Sequence, residues 1–339
     1  GLELDPMAVE NFFKDLFPDF EGNIQITQFK GGQSNPTYLV TSKDRAWVIR
    51  RKPPGLLLPS AHAVDREYRI LSALGKTGVP VPKTHILCMD EKILGTPFYV
   101  MDYLEGTVYW NAIMPEMNFK TRADVYDSMN ESIAKLHQVD FKSLGLSDFG
   151  KPGNYVGRQL KRWGSQYQEA DYDKIPEMDL LIEWLETRIP KQTQTSIVHG
   201  DFRLDNMIFD QKQHRVLAIL DWELSTLGDP IADFAYHVMQ WRIPFELNRG
   251  LAGADLHSLG IPNEKTYLES YCKRTGRVEI KDWDFYIIFS LYKMSAICYG
   301  ILVRIHNGTA ASEHAIRTGS LAHSFAKLAW DQVIQMKRD

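Results

Sequence analysis

A change of pattern near Glu105-Gly106 constrains this 339-residue chain more than any other feature. Before it, apolar residues come in short β-branched or aromatic runs; after it, they recur at helical spacing over long stretches. Ile24, Ile26 and Phe29 alternate, Gly31-Gly32 breaks the run, and Thr37–Val40 and Ala46–Arg50 follow as strands around a Thr41–Asp44 turn. Val64, Tyr68, Leu71 and Leu74 predict a helix over 61–74, and Thr84–Met89 and Pro97–Tyr103 predict two more strands. Beyond Gly106, helices are expected over 119–139, 156–170, 177–189, 264–275, 281–305 and 312–336. Ser196–Leu224 is the exception: Met207-Ile208-Phe209 and Val216–Leu220, joined by a polar turn, read as a β-hairpin inside the helical part. The expected class is α+β, with a small antiparallel β lobe over 1–105 and a large, mainly helical lobe over 106–339.

Composition narrows the classes of function. Hydrophobic residues at 44% and charged residues at 24% are ordinary globular values, which excludes disorder and a disulfide scaffold. With 39 Lys+Arg against 43 Asp+Glu there is no basic excess, so no nucleic-acid partner is expected. No protein partner is indicated either. Three well-separated cysteines, Cys88, Cys272 and Cys298, cannot all pair, which fits a reducing, cytoplasmic setting. Residues 1–20 carry Asp5, Glu10, Asp15 and Asp19 and lack an apolar core, so a signal peptide is not expected. The most apolar stretch, Trp283–Ile305, is interrupted by Asp284, Lys293 and Arg304, so a core helix is expected rather than a membrane span.

The chemistry is concentrated in His199-Gly200-Asp201-Phe202-Arg203-Leu204-Asp205-Asn206 and the later Ile219-Leu220-Asp221-Trp222. A hairpin starting after Asn206 and ending at Asp221 brings an Asp, an Asn and a second Asp to one end. Hard oxygen ligands of this type suit Mg²⁺, which also takes phosphate oxygens. The remaining Asp is then available to orient a hydroxyl and accept its proton, which completes the parts of a phosphoryl transferase.

From about Ile24 to Ala329 the sequence resembles the aminoglycoside phosphotransferase and choline kinase-like group, which shares the bilobal protein-kinase-like fold. More narrowly, His199–Asn206 with Asp221-Trp222-Glu223 and Gly228-Asp229-Pro230 is similar to the kinase-like domains associated with acyl-CoA dehydrogenases. The resemblance implies Asp201 as catalytic base, Asn206 and Asp221 as Mg²⁺ ligands, and Arg203 facing the γ-phosphate of ATP. Arg203 also has a plain alternative, pairing with Asp205. In Trp47-Val48-Ile49-Arg50 the kinase pattern places a small apolar residue over adenine and a Lys two residues later; here Arg50 stands in that place. Glu67 is its candidate partner, and Lys52 is a substitute cation on the same face. Ser34 and Asn35, in the Gly31–Asn35 turn, are expected at the phosphates. In the segment ending the β lobe, Met101 is implied at the back of the adenine pocket, and the backbones of Asp102 and Leu104 at the base.

For the acceptor, two walls are expected, over 154–167 and 236–242. The first carries Arg158, Lys161 and Arg162 near Tyr155, Trp163 and Tyr167; the second contains Trp241. A basic, aromatic wall suits an anionic hydroxylated small molecule, a hydroxy acid or hydroxyacyl-CoA, better than a polycationic aminoglycoside. Glu223 is expected close enough to orient the acceptor hydroxyl. Asp229 and Asp233 are expected to brace the catalytic loop, with Asp233 opening a helix that runs to Trp241. The alternatives are an antibiotic kinase and a silent nucleotide-binding scaffold, the latter favoured only by Arg50 in place of Lys.

Overall fold

The computed structural model describes residues 3–30, 35–55, 63–247, 249–308 and 313–338. In chain order the N-terminal elements are α1 (Pro6–Leu16), β1 (Gln25–Gln28), β2 (Thr37–Ser42), β3 (Arg45–Arg51), α2 (Val64–Leu74), β4 (Thr84–Cys88), α3 (Glu91–Leu94) and β5 (Phe98–Asp102). There follow α4 (Phe119–His137), α5 (Tyr155–Glu169), α6 (Pro176–Glu186), β6 (Ser196–Val198), β7 (Met207–Phe209), β8 (Val216–Ile219), β9 (Thr226–Gly228) and α7 (Pro230–Val238). The last are α8 (Leu256–Leu259), α9 (Glu264–Thr275), α10 (Trp283–His306), α11 (Glu313–Gly319) and α12 (Ala322–Arg338). The chain divides into two compact units, Gly1–Val108 with Asn206–Ser225, and Tyr109–Asp205 with Thr226–Asp339.

In the first unit, β1-β2-β3-β5-β4 form a five-stranded antiparallel sheet. Alternation along β3 sends Trp47 and Ile49 to one face and Val48 and Arg50 to the other. The Trp47 face is covered by α1. Phe13 meets the indole edge-on and Phe17 stacks on it, both at 5.1 Å between ring centres, contacts worth about 0.5–1.5 kcal/mol each beyond their burial. Asp5 caps α1, accepting from the Met7 amide at 3.0 Å, and Pro6 presets the first turn. α1 and α3 are additional to the one helix expected in this lobe; the Asp-Pro start and the phenylalanines of α1 carry its signal.

The β7–β8 hairpin belongs to this first unit, not to the helical lobe in which the sequence reading placed it. Thr107 and Phe209 exchange backbone hydrogen bonds at 2.8 and 2.9 Å, and the Ile219 amide donates to the Pro80 carbonyl. Gly106 permits the approach: a Cβ there would lie 2.5 Å from the Phe209 carbonyl oxygen.

The second unit is mainly helical around α10, which packs against α5, α7, α11 and α12. Among the described residues α10 alone is long and apolar enough to cross a membrane, yet 72% of its most apolar window is buried in the protein. Its apolarity is that of a core helix. Residues expected as one helix over 312–336 form two, α11 and α12. Asp229, not Asp233, opens α7, accepting from the Ile231 amide at 2.9 Å, and the helix ends at Val238 in a 3-10 turn over Met239–Arg242.

Candidate functional site

Arg50 lies on the sheet face opposite Trp47, paired across the strands with Thr37 and Tyr99. It is 4% exposed, and its Nε stands 2.9 Å from Oε1 of Glu67, itself 3% exposed, on α2. Glu67 also accepts from the Asn35 amide nitrogen at 2.8 Å and from the Tyr99 hydroxyl at 3.0 Å. Burial opposes the Arg50 charge, but Tyr99, Glu67 and Asp221 outweigh it and hold the guanidinium protonated. Burial raises the Glu67 carboxyl above its ordinary range, with Arg50 and Tyr99 pulling the other way. The expected Arg50–Glu67 pair is therefore present as geometry, with Asn35 as a third member. Gly31, Gly32, Gln33 and Ser34 lie outside the described residues.

Arg50 Nη1 reaches Asp221 Oδ1 at 3.4 Å, so the hairpin brings its terminal carboxylate to this cluster. Asp221 adopts φ +58°, a left-handed conformation that Asp tolerates better than most residues. The Trp222 indole donates to the Ile219 carbonyl at 2.8 Å and pins the turn. The Leu220 amide donates to the Asn206 carbonyl, also at 2.8 Å, which holds Asn206 beside the residue preceding Asp221. One amide and one carboxylate, the latter still 25% exposed, are the donor set Mg²⁺ uses when phosphate and water supply the rest. Among the described residues no group of three His, Cys, Asp or Glu is placed to hold a metal by itself. Glu223 is exposed and influences Arg50 and Glu67 electrostatically, so it stands with this cluster. Met101 is buried opposite Val48, the Asp102 amide donates to the Lys83 carbonyl, and Leu104 is half-buried.

In the second unit, Asp201 follows Gly200, whose φ of +91° suits glycine. Asp233 turns its carboxylate away from its own helix and accepts from the His199 amide at 3.0 Å and the Gly200 amide at 2.9 Å. His137 Nε2 lies 2.8 Å from the same carboxylate. Burial alone would raise Asp233, but the His137 and His199 hydrogen bonds prevail and hold it below its ordinary value. His199 Nδ1 accepts from the Asp201 amide at 3.0 Å and so supports the loop. Tyr236 donates to Asp201 Oδ1 at 2.6 Å, and Arg203 Nε lies 3.3 Å from the same oxygen and 3.5 Å from Asp205. Arg203 thus bridges both carboxylates.

The two acceptor walls fare differently. Arg158 bonds the carbonyls of Gly153 and Lys151 and so closes the loop before α5. Arg162 lies over the Trp163 ring at 5.1 Å, and Trp163 donates to Gln159. Trp241 is buried against Tyr126 and Tyr267, with its indole donating to the Pro262 carbonyl. Arg242 is committed to Glu264, Asp284 and Gln332. A different pocket borders Arg203 and Tyr236. It is lined by Met239, Ile243, Met294 and Phe325, by Arg249, and by Trp110, which is 70% exposed. Arg249 and Trp110 were not singled out from sequence, because neither carries a motif.

Residues 25–268 match the sequence profile of the family described as "Phosphotransferase enzyme family". The chain belongs to this family. The phosphotransferase is 45% identical over 327 residues to mouse acyl-CoA dehydrogenase family member 10, a match covering 96% of this chain and 31% of that protein. It therefore spans about a third of the length of that relative. A Ralstonia eutropha protein of known crystal structure, provisionally named an aminoglycoside phosphotransferase, is 43% identical with a TM-score of 0.89, over 98% of this chain and 99% of that one. Aminoglycoside phosphotransferase APH(4)-Ia, solved with AMP-PNP and hygromycin B, is 13% identical with a TM-score of 0.61 over 96% and 98% of the two chains, and shows the shared α+β kinase-like fold.

Proposed function

We propose that this phosphotransferase moves the γ-phosphoryl group of ATP to a hydroxyl of a small anionic molecule, a hydroxy acid or hydroxyacyl-CoA. The observation that carries the reading is the Asp201 carboxylate, anchored by Tyr236 beside a pocket that offers Arg203, Arg249 and an apolar lining. The acceptor oxygen attacks the γ-phosphorus, its proton passes to Asp201, and the bond to the β–γ bridging oxygen breaks to release ADP. Arg203 adds a fixed positive charge for the transferring oxygens. Arg50, oriented by Glu67, and Asn35 are the groups for the nucleotide phosphates. Mg²⁺ held by Asn206 and Asp221 would neutralise phosphate charge. ATP as donor is supported by the AMP-PNP complex of a protein with this fold.

Arg203 is shared with Asp201 and with Asp205, which also lines the pocket, so Arg249 is the charge there that favours an anionic acceptor over a polycationic aminoglycoside. An acyl thioester is further supported by relatives named for acyl-CoA chemistry. A silent scaffold is disfavoured by the intact Arg50–Glu67 pair, which answers the one departure from the kinase pattern.

The test is ADP release with Mg²⁺ against hydroxy acids, hydroxyacyl-CoA thioesters, aminoglycosides, choline and sugars. Stimulation by a hydroxy acid or its thioester, abolished in Asp201→Asn with ATP binding retained, is expected. Stimulation by aminoglycosides alone, or unchanged turnover in Asp201→Asn, would overturn the reading.

A further inference from the structure

The apolar helix α10 buries a charge that this chemistry does not use. Lys293 is 4% exposed, and its Nζ donates to the Gly200 carbonyl at 2.8 Å. The ammonium also lies 4.8 Å from the centre of the Tyr236 ring, whose hydroxyl holds Asp201 Oδ1. Removing an ammonium from water costs several kcal/mol, and an apolar side chain would fill this place without that cost. The placement suits the loop. The Gly200–Asp201 peptide is gripped at its carbonyl by Lys293 and at its amide by His199 Nδ1, while Asp233 grips the preceding amides. Glycine enforces little backbone direction by itself, so these grips set the direction in which Asp201 leaves the loop.

We propose that Lys293 is a positioning residue for phosphoryl transfer, orienting the Gly200–Asp201 peptide and the Tyr236 ring and through them the Asp201 carboxylate. The inference rests on Asp201 being the base. It has a pH signature. The charged and titratable groups facing Lys293 are Asp201 in the loop, Asp233 and Tyr236 on α7, and Arg162 on α5. Burial draws Lys293 down to about 8, with Asp201 and Asp233 pulling it back up and Arg162 pushing it further down. Above that pH the neutral amine still reaches the Gly200 carbonyl but no longer attracts the Tyr236 ring or Asp201.

The experiment follows ADP release from Mg·ATP, with water as acceptor, from pH 6 to 10 in the full chain and in Lys293→Arg and Lys293→Met. An alkaline limb near pH 8 is expected in the parent. The limb should vanish in Lys293→Arg, which stays charged, and Lys293→Met should lose about tenfold or more in kcat with little change in KM for ATP. A second readout needs no turnover: the Lys293 side-chain NMR resonance should titrate near 8, and should move to lower pH in Asp201→Asn, which removes a negative neighbour. A parent profile flat to pH 9, or a limb that persists unchanged in Lys293→Arg, would overturn the inference. If Lys293→Met does not fold, Lys293→Arg and the titration still decide. ADP release indifferent to Asp201→Asn would overturn the underlying assignment of the base. The titration tells that failure apart from an error about the Lys293 contact.

Discussion

Arg50 and Glu67 form a buried ion pair, Nε to Oε1 at 2.9 Å, and Glu67 accepts from Asn35 and Tyr99 as well. Three polar side chains thus depend on one carboxylate. Glu67→Ala removes the nearer counter-charge of a buried guanidinium and leaves it only the 3.4 Å contact with Asp221, the costly way to break a buried pair. The expected loss is about 3–5 kcal/mol in urea unfolding, with weaker nucleotide binding by calorimetry. Arg50→Lys, which keeps charge but not the planar fork, should recover folding better than nucleotide affinity. Equal unfolding midpoints for Glu67→Ala and the parent would refute the pair's structural role.

Tyr236→Phe keeps the ring over Lys293 and removes only the bond to Asp201 Oδ1. A hydrogen bond to a charged acceptor is worth roughly 1.5–3 kcal/mol, so kcat should fall about tenfold or more, with KM for ATP unchanged. Steady-state kinetics at saturating ATP measure this. An unchanged kcat would detach Tyr236 from the reaction.

Arg249 shares the apolar pocket with Arg203 and Tyr236. Arg249→Gln should raise KM for an anionic acceptor about tenfold and leave KM for ATP as it was. A neutral acceptor of the same shape should show no such change. An equal effect on both acceptors would remove charge recognition from the pocket.

His237 is buried on α7 with Nε2 2.6 Å from the Tyr267 hydroxyl, and burial lowers it to about 3. The native state holds it neutral, whereas the unfolded chain protonates it near pH 6.5. Its contribution to stability is therefore full above that pH and is lost as pH falls toward 3, amounting to a few kcal/mol, roughly 3–5. Chemical denaturation at pH 8, 6 and 4.5 should show the decline, and His237→Gln should flatten it. An equal slope in the variant would assign the acid sensitivity elsewhere.

Much of this was legible along the chain. β2, β3, β4 and β5 stand out as short β-branched or aromatic runs set off by turn residues. Asp201, Asn206 and Asp221 announce themselves by spacing, whereas Arg50 and Glu67 are paired in the sequence only through the resemblance to the kinase pattern. Local pattern could not say which face of a segment looks where. Trp241 and Arg242 sit beside Tyr236 in sequence, yet the chain turns at Met239–Arg242 and sends them into the core and into ion pairs with Glu264 and Asp284. Arg158, read as an acceptor contact, serves two loop carbonyls instead.

By itself, the sequence determined the elements, the family and the residue types of the chemistry, because hydrophobic period, caps and motif spacing act within a few residues. Tertiary structure decided the partners. Glu67 meets Arg50 across 17 positions, Tyr236 meets Asp201 across 35, and Lys293 meets Gly200 across 93. No local rule selects such pairs. They form because burying the sheet and α10 removes water from these groups, and each must then find its hydrogen bond or counter-charge inside the protein.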